Sequence, residues 1–459
     1  MRRHVRYGVL LVLLAGCANH AAPRTAPAQL GVSEAAVRAH LEFLASDALN
    51  GRGAGTRDEQ IAAEYVGAQF RRLGFKAGGA AGSYVQTVEM TRHTSTGKPE
   101  IFVGAAKWTY GKEFVTGTLG APLVAGPLQK LDGAATAVRP GAVAFLAAEN
   151  QELMAKAVLS GAAAILVRRN LTAAQWDTQA ARTPAQAPLI TGIPPGAQGR
   201  TTVVSLSADA AAALASMPEG TAVRIETASG DPQKSYTYNA VGILPGTGAA
   251  GDAILITSHL DHLGHRETAQ GPDNIFNGAD DDASGTVAVL EIAEALAKRK
   301  APARTIVFAC FGSEEVGGHG ATYLRENPPM PLEKIVANVE FEMIGRPDPK
   351  VAPHTLWLTG YERSDLGPTL AAHGARLVQD PHPEQNFFRR SDNYTLAVRG
   401  VVAHTVSSYG LHKEYHTPAD ETKLVDYAHM TESIASMVEP LWWLANTAFK
   451  PSWKPGLRP

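Results

Sequence analysis

The feature that most constrains the fold is an alternation of apolar runs and helical patterns that begins near residue 236. Two continuous apolar runs, AILITSH (253–259) and TIVFACFG (305–312), have the composition of buried parallel strands. Between them, SGTVAVLEIAEALAKRK (284–300) carries apolar residues at helical spacing and ends in cations. KIVANVEF, TLWLTG and GVVAHTV are further strand candidates. This order predicts an α/β fold with an open, mixed but mostly parallel sheet flanked by helices on both faces.

The stretch from 112 to 235 differs in character, because it is rich in alanine and glycine and holds few residues suited to chemistry. GAVAFLAA, AKAVLSGAAAILVRR and TTVVSLS indicate a strand, a helix followed by a strand, and a further strand. We therefore predict a small α/β domain at 112–235, inserted into a larger domain formed by residues 33–111 and 236–459. A chain of 459 residues is long enough for both.

The N-terminus, MRRHVRYGVLLVLLAGCANH, shows the pattern of a secretory signal, and its apolar run is too short to span a bilayer. LAGC resembles a bacterial lipobox, which predicts a signal peptide at 1–16, Cys17 as the lipid-modified first residue, and an Ala/Pro-rich tether at 17–32. The alternative is an ordinary signal peptide with Cys17 incidental. We expect an exported lipoprotein of the cell envelope, at the outer membrane or its periplasmic face, since Ala18 supplies no aspartate retention signal.

Charge and cysteine content narrow the possible partners. The formal net charge is −2 and no long basic run is present, which argues against a nucleic-acid partner. The lipid anchor would be the contact with the membrane. The second cysteine, Cys310, lies in an apolar run and is expected to be a buried small hydrophobe, so no disulfide is possible within the mature chain.

Acids and histidines follow successive predicted strands. They are His259 and Asp261, then Glu314 and Glu315, then Glu342 with Glu340 before it, and finally His416 with His412 nearby. Because ligands of open α/β sheets bind beyond the carboxyl ends of the strands, we expect these side chains to converge. Asp261 lies two residues after His259 on the same face of extended chain, and a carboxylate behind a histidine is common at metal sites. Each feature alone is also compatible with an ordinary structural residue.

The segment NGADDDASG (277–285) places three carboxylates side by side, although like charges repel. It is compatible with a solvated loop or with a helix N-terminus favoured by acids. Together with the neighbouring histidines, however, it predicts a zinc centre in which one carboxylate bridges two ions about 3.5–4 Å apart. Two dications offset the repulsion. Calcium fits less well because histidine is a poor calcium ligand, whereas cobalt or manganese suits such a ligand set.

Six motifs occur in the order and approximate spacing of the dizinc aminopeptidase family: SHLDHLG, NIFNGADDDASG, FGSEEVGGHGA, FEMIG, RRSDNY and EYHTPADE. That family includes secreted bacterial leucyl-type aminopeptidases and is related to glutamate carboxypeptidase II and glutaminyl cyclase. The resemblance covers 236–430. LASDALNGRGAGT and AAEYVGAQFRRLGF resemble the family's N-terminal segment, and KAVLSGAAAILV resembles part of a protease-associated domain. The family resemblance implies the zinc-exopeptidase fold with a protease-associated insert.

The resemblance also implies a ligand set for two Zn²⁺ ions: His259, Asp281 as the bridge, Glu315, Glu342 and His416. A misalignment by one residue would move the bridge to Asp280 or Asp282. Glu342 departs from the family pattern, which more often has aspartate before M-x-G, and Glu340 is the alternative ligand at that position.

The implied catalytic residues are Glu314 as the general base, Asp261 as the acid that orients His259, and Tyr415 as a donor to the oxyanion. The resemblance places three residues at the substrate cleft: Arg390, Ser391 and Asp392. Other interpretations remain open: Tyr415 as a packing residue, RRSDNY as an aspartate-stabilised turn, and the paired arginines as solvated cations.

The implied function is a zinc metallopeptidase that removes N-terminal residues from peptides with a free N-terminus, through attack by a metal-bridging hydroxide. A carboxypeptidase or dipeptidase with the same site is the first alternative, favoured if Arg389 and Arg390 bind a substrate carboxylate. A glutaminyl cyclase is a further alternative, although such enzymes use a single catalytic zinc. A non-catalytic receptor or scaffold of this fold would be marked by lost ligands, and the implied set is complete.

Overall fold

The structure is a computed structural model that describes residues 31–133, 137–194, 197–198, 201–267 and 272–459. The predicted signal peptide, Cys17 and all of the predicted tether except its last two residues lie outside the described ranges. None of the helices in those ranges combines the length and the apolar character that a membrane span requires.

The described chain is an alternation of strands and helices. The strands, numbered in chain order, are β1 (Lys76–Ala77), β2 (Val85–Arg92), β3 (Glu100–Val103), β4 (Ala106–Thr109), β5 (Phe114–Val115), β6 (Thr118–Leu119), β7 (Leu123–Lys130), β8 (Val143–Leu146), β9 (Ala164–Val167), β10 (Ala185–Gln186), β11 (Leu189–Ile190), β12 (Thr202–Leu206), β13 (Ala222–Glu226), β14 (Gln233–Leu244), β15 (Ala253–His259), β16 (Gly264–His265), β17 (Ile275–Phe276), β18 (Thr305–Phe311), β19 (Ile335–Phe341), β20 (Leu356–Leu358), β21 (Leu377–Gln379) and β22 (Val402–Ser407). The α-helices are α1 (Glu34–Leu44), α2 (Arg57–Arg72), α3 (Gln151–Leu159), α4 (Ala173–Ala181), α5 (Ala208–Ser216), α6 (Gly285–Ala297), α7 (His319–Glu326), α8 (Leu366–Ala372), α9 (Asn393–Ala397) and α10 (Tyr427–Asn446).

The larger sheet is mixed, with strand order β11-β2-β14-β18-β15-β19-β22-β20-β21, and β1 pairs with β14. The four central strands, β18, β15, β19 and β22, are parallel. Most of the flanking pairs are antiparallel, so parallel order is confined to the centre and to β20 with β21. The predicted mixed α/β class is confirmed, and the carboxyl ends of the central strands meet at one edge.

Both faces of the central strands are buried, which explains why their sequences are continuously apolar rather than alternating. Ile254 and Ile256 of β15 pack in a cluster with α1, α2, α6 and α10. Leu255, between them, faces the opposite side and packs with α7 and α9. Burial of each such side chain contributes roughly 1.5–3 kcal/mol. Cys310 on β18 is buried and free, as predicted.

The smaller sheet has eight strands in the order β4-β3-β13-β7-β8-β9-β12-β5 and its own apolar core. It includes β3 and β4, which precede residue 112, because β13 pairs with both β3 and β7. In return, β11 pairs with β2 of the larger sheet. Pairing between distant strands therefore sets the limits of this sheet, which begins at Glu100 and ends at Glu226. The change in composition places the start of the insert at residue 112, after β3 and β4.

Candidate metal centre

The parallel strands bring the acids and histidines together at their carboxyl ends. His259 is the last residue of β15, and Glu342 directly follows β19. Glu314 and Glu315 come soon after β18, and His416 lies in the segment after β22. The predicted convergence of these side chains is what the structure shows.

The three adjacent aspartates have different surroundings, and all three are buried. Only Asp281 directs its carboxylate at a group of histidines. Its Oδ1 lies 3.3 Å from His259 Nε2, and its Oδ2 lies 3.1 Å from His416 Nε2 and 3.8 Å from His262 Nδ1. The Asp281–Asp282 peptide bond is cis.

The two outer aspartates hold the backbone around the centre. Asp282 accepts hydrogen bonds from the main-chain N–H groups of His259, Gly285 and Met343 at 2.9–3.2 Å. Asp280 accepts from the Gly345 N–H at 2.7 Å. These contacts leave Asp281 as the aspartate whose carboxylate faces the candidate metal ligands.

Two groups of donors share Asp281. The first position comprises His259, Asp281 and Glu342, and the second position comprises His262, Asp281 and Glu315. The predicted ligand His416 lies beside the second group, in contact with Asp281 and Glu315. His416 Nε2 lies 3.2 Å from Glu315 Oε2. Donor atoms on one tetrahedral zinc ion, with bonds of about 2.0–2.1 Å, lie roughly 3.3 Å apart, so these separations fit a bound ion.

Unpaired polar atoms support the same interpretation. Within the described ranges, His259 Nε2, both ring nitrogens of His262, and Glu315 Oε1 are buried without a hydrogen-bond partner. Buried polar groups are rarely left in that state, because desolvation without a partner costs about 1–3 kcal/mol. A metal ion would satisfy them, so the residues present fit the predicted zinc ions.

Glu340, the alternative ligand, is engaged elsewhere. Its Oε2 accepts hydrogen bonds from the Asn393 N–H at 2.5 Å and from Thr405 Oγ1 at 3.1 Å. Burial, and next the neighbouring Glu342, raise the pKa of Glu340 to about 8. The donor group at the first position, whose ligand atoms lie close together, contains Glu342 and not Glu340.

Asp261 connects the loop after β15 to the loop after β18. It accepts from the main-chain N–H groups of Glu314 and Glu315, at 2.9 and 3.4 Å. Its Oδ1 is 3.7 Å from His259 Nδ1, whereas the main-chain oxygen of Asp261 is 3.2 Å from that nitrogen. Asp261 therefore touches His259 mainly through its backbone, and its carboxylate holds the glutamate loop.

The charges in the centre shift several pKa values. Burial acts to raise the pKa of Asp281, but the surrounding histidines hold it well below its ordinary value. Burial also raises the pKa of Glu314 well above its ordinary value, with Asp392 and Glu342 adding to the effect and His259 opposing it. Cations bound at the two positions would act in the opposite direction and favour the ionised acids.

A cavity adjoins the first position on the side of Glu342. Four of its ten lining residues are aromatic: it is lined by Glu342, Met343, Trp357, Thr359, Phe387, Arg390, Thr405, Ser407, Tyr409 and Tyr415. The Tyr415 ring stacks on His416 with centroids 3.8 Å apart. Of the predicted cleft residues, Arg390 lines the cavity, whereas Ser391 and Asp392 are buried.

Three residues of the centre have no role in the sequence-based prediction: His262, Arg52 and Asp420. His262 is the last histidine of SHLDHLG and was visible as a strand-end histidine. Asp420 accepts from the N–H groups of Asp280 and Asp281 at 3.0–3.1 Å. Its position in EYHTPADE gives no indication of that contact.

Arg52 is fully buried and lies more than 200 positions before the loops it binds. Its guanidinium donates to the main-chain oxygens of Leu44, Leu260, Asn277 and Gly278 at 2.5–3.0 Å. It thereby ties helix α1 to the loop after β15 and to the aspartate loop. Arginine suits this role because its donors form a rigid planar fork.

Comparison with known proteins gives a consistent result. The sequence model of peptidase family M28 matches residues 239–439. An aminopeptidase of Pseudomonas aeruginosa is 35% identical over 117 residues, which cover 25% of this chain and 20% of the relative. Leupeptin-inactivating enzyme 1 of Streptomyces exfoliatus is 32% identical over 114 residues, covering 24% of each chain. The matches thus span about a fifth to a quarter of these relatives.

Solved structures show the same fold over nearly the whole chain. An aminopeptidase from Aneurinibacillus sp. strain AM-1 superposes with a TM-score of 0.51 at 18% identity, covering 91% of this chain and 95% of that one. A zinc aminopeptidase from Bacillus subtilis superposes with a TM-score of 0.51 at 17% identity, covering 92% and 98%.

Proposed function

Because residues 239–439 belong to peptidase family M28, we propose that the protein is a zinc metallopeptidase that removes N-terminal residues from peptides. The observation that carries the proposal is the pair of donor groups that share Asp281. Glu314 directly precedes Glu315, a member of one of these groups. A shared carboxylate between two three-donor groups is the arrangement of a co-catalytic zinc pair. The match to an aminopeptidase of Pseudomonas aeruginosa supports the same class.

Two zinc ions at these positions would supply Lewis acidity, which activates a water molecule and polarises the scissile carbonyl. Glu314 is the proposed general base. It belongs to neither donor group, so its carboxylate is available to take the proton of the attacking water and return it to the leaving amine. Asp261 keeps it in place through the main-chain N–H at 2.9 Å.

The chain's own residues also define where the substrate lies. Tyr415 lines the cavity beside Glu342 and is the proposed donor to the oxyanion. Its stacking on His416 fixes the ring next to the second position. The aromatic cavity would receive the side chain of the residue to be removed, and Arg390 at its wall would contact the substrate backbone.

Peptides that differ only in their termini test the activity. Purified protein supplied with zinc is incubated with a free peptide, an N-acetylated peptide and a C-amidated peptide of the same sequence. We expect turnover of the free and C-amidated peptides only. Cleavage of the N-acetylated but not the C-amidated peptide would instead identify a carboxypeptidase, for which Arg390 is the candidate carboxylate ligand. Bound zinc without turnover of any peptide would favour a receptor or scaffold.

The cellular setting is proposed from the sequence. Lipidation of Cys17 would anchor the enzyme to the cell envelope, and the tether after it would hold the peptidase clear of the membrane surface. Radiolabelled palmitate should be incorporated into the wild-type protein and not into Cys17→Ala. We also propose that residues 112–235 are a protease-associated domain.

A further inference from the structure

His262 lies inside the metal centre, although neither its spacing nor the family resemblance gives it a role. The side chain is 1% exposed. Its Nδ1 lies 2.7 Å from Glu315 Oε1 and 3.8 Å from Asp281 Oδ2. His262 thus lies close to the same two carboxylates as His416 does.

The contact between His262 and Glu315 is not a hydrogen bond. A separation of 2.7 Å is well within hydrogen-bonding reach, yet among the described residues both ring nitrogens and Glu315 Oε1 lack a partner. The two atoms therefore lie close together without the alignment of a hydrogen bond. His259 Nε2, a predicted ligand, behaves in the same way, since it is 3.3 Å from Asp281 Oδ1 and also without a partner.

The local backbone makes room for the ring. Gly278 has φ +55°, and a Cβ at that position would lie 2.5 Å from His262 Cγ and 2.1 Å from the main-chain oxygen of Asp281. The main-chain N–H of His262 donates to the Arg52 oxygen at 3.1 Å, which fixes the start of the side chain. A larger residue at 278 would displace the ring from the centre.

We infer that His262 is a fourth protein donor to the ion at the second position, and this rests on the proposed zinc-dependent function. The two positions are then unequal. The second position has four protein donors, as in closed structural sites, whereas the first has three and keeps a place for water or substrate. The second ion should therefore bind more tightly, and the first should be the one that exchanges readily.

Zinc titration of the metal-free full-length protein, in competition with a chromogenic chelator, tests the inference without measuring activity. Wild type should bind two ions with clearly different affinities. His262→Ala should weaken the tighter ion by more than about 100-fold, the upper end of the loss expected for an outer partner of a ligand. Circular dichroism of the metal-free proteins establishes that both are folded.

His262→Asn separates direct ligation from support of Glu315, because asparagine keeps an N–H donor near Nδ1 but is not a usual zinc ligand. It should lose as much affinity as His262→Ala, and wild-type affinity in this variant would overturn the inference. The exposed neighbour His265 supplies the control, since His265→Ala should bind as wild type does. Fewer than two ions in wild type would contradict the proposed function, whereas two ions with unchanged affinity in His262→Ala would overturn only the role of His262.

Discussion

The main-chain N–H of Glu314 donates to Asp261 Oδ1 at 2.9 Å, so the proposed base is held through its backbone and not through its carboxylate. The side chain can therefore be changed without releasing the loop that carries it. A substitution of the Glu314 side chain therefore tests its chemical role without removing the hydrogen bond that holds the loop.

Glu314→Gln should reduce kcat by about 10²–10⁴-fold, because the amide cannot accept the proton of the attacking water. Metal content should stay at the wild-type level, since Glu314 is in neither donor group. Steady-state kinetics with elemental analysis of the same sample measure both quantities. Full activity in this variant would remove Glu314 as the base.

Glu342 and Glu340 form a matched pair for locating the ligand after β19. Glu342→Gln should abolish binding at the first position, whereas Glu340→Gln should leave both ions bound, because Glu340 is occupied by Asn393 and Thr405. Glu342→Asp should keep the ion with weaker binding, as the carboxylate is retained but drawn back by one methylene. Metal loss in Glu340→Gln alone would exchange the two roles.

Asp282→Asn should destabilise the fold by about 1–3 kcal/mol, because its carboxylate accepts three main-chain N–H groups and an amide would set donor against donor. Thermal unfolding of the metal-free protein measures the loss. Asp209→Asn, at an exposed position in the first turn of α5, is the control and should change little. Equal melting temperatures for the two variants would contradict the role given to Asp282.

Glu291 on α6 should make stability depend on pH. Burial, with repulsion from Glu294, raises its pKa from 4.5 to about 7. Since the folded state favours the neutral acid, the associated stability is complete below about pH 4.5 and is lost as the pH rises through 7. Glu291→Gln stays neutral, so its melting temperature should exceed that of wild type increasingly between pH 5 and pH 8.

The size of that effect has an upper limit of about 3 kcal/mol, given by the pKa difference. Glu64→Gln, an exposed position on α2, should show no such trend. A constant difference between wild type and Glu291→Gln across the pH range would mean that folding does not raise the pKa of Glu291.

Much of the fold follows from local pattern. The spacing of Val37, Leu41 and Leu44 predicts α1, and all three are buried as expected. The apolar runs of β15 and β18 predict buried central strands, and their order predicts where the chemistry gathers. The antiparallel pairing of β14 with β18 is not visible in composition, because a buried strand has the same residues in either direction.

The residues of the metal centre that lie at strand ends were predictable from the sequence. Those that act through contacts between distant parts of the chain were not. His259 ends a strand, and Glu315 and Glu342 come soon after strands, so sheet topology alone brings them together. Arg52 and Asp420 act on loops that are remote in the chain, and no local pattern reports a partner at such a distance. For His262, sequence shows a histidine but not the direction of its ring.

The guanidinium of Arg52 also bears on how the chain can be divided into fragments. The segment that matches the family model starts at residue 239. Two of its loops nevertheless accept hydrogen bonds from Arg52, which lies far outside that segment. A recombinant fragment that begins at 239 would leave the carbonyls of Leu260 and Gly278 without their donor, and the unit that forms the candidate metal centre is therefore discontinuous in the sequence.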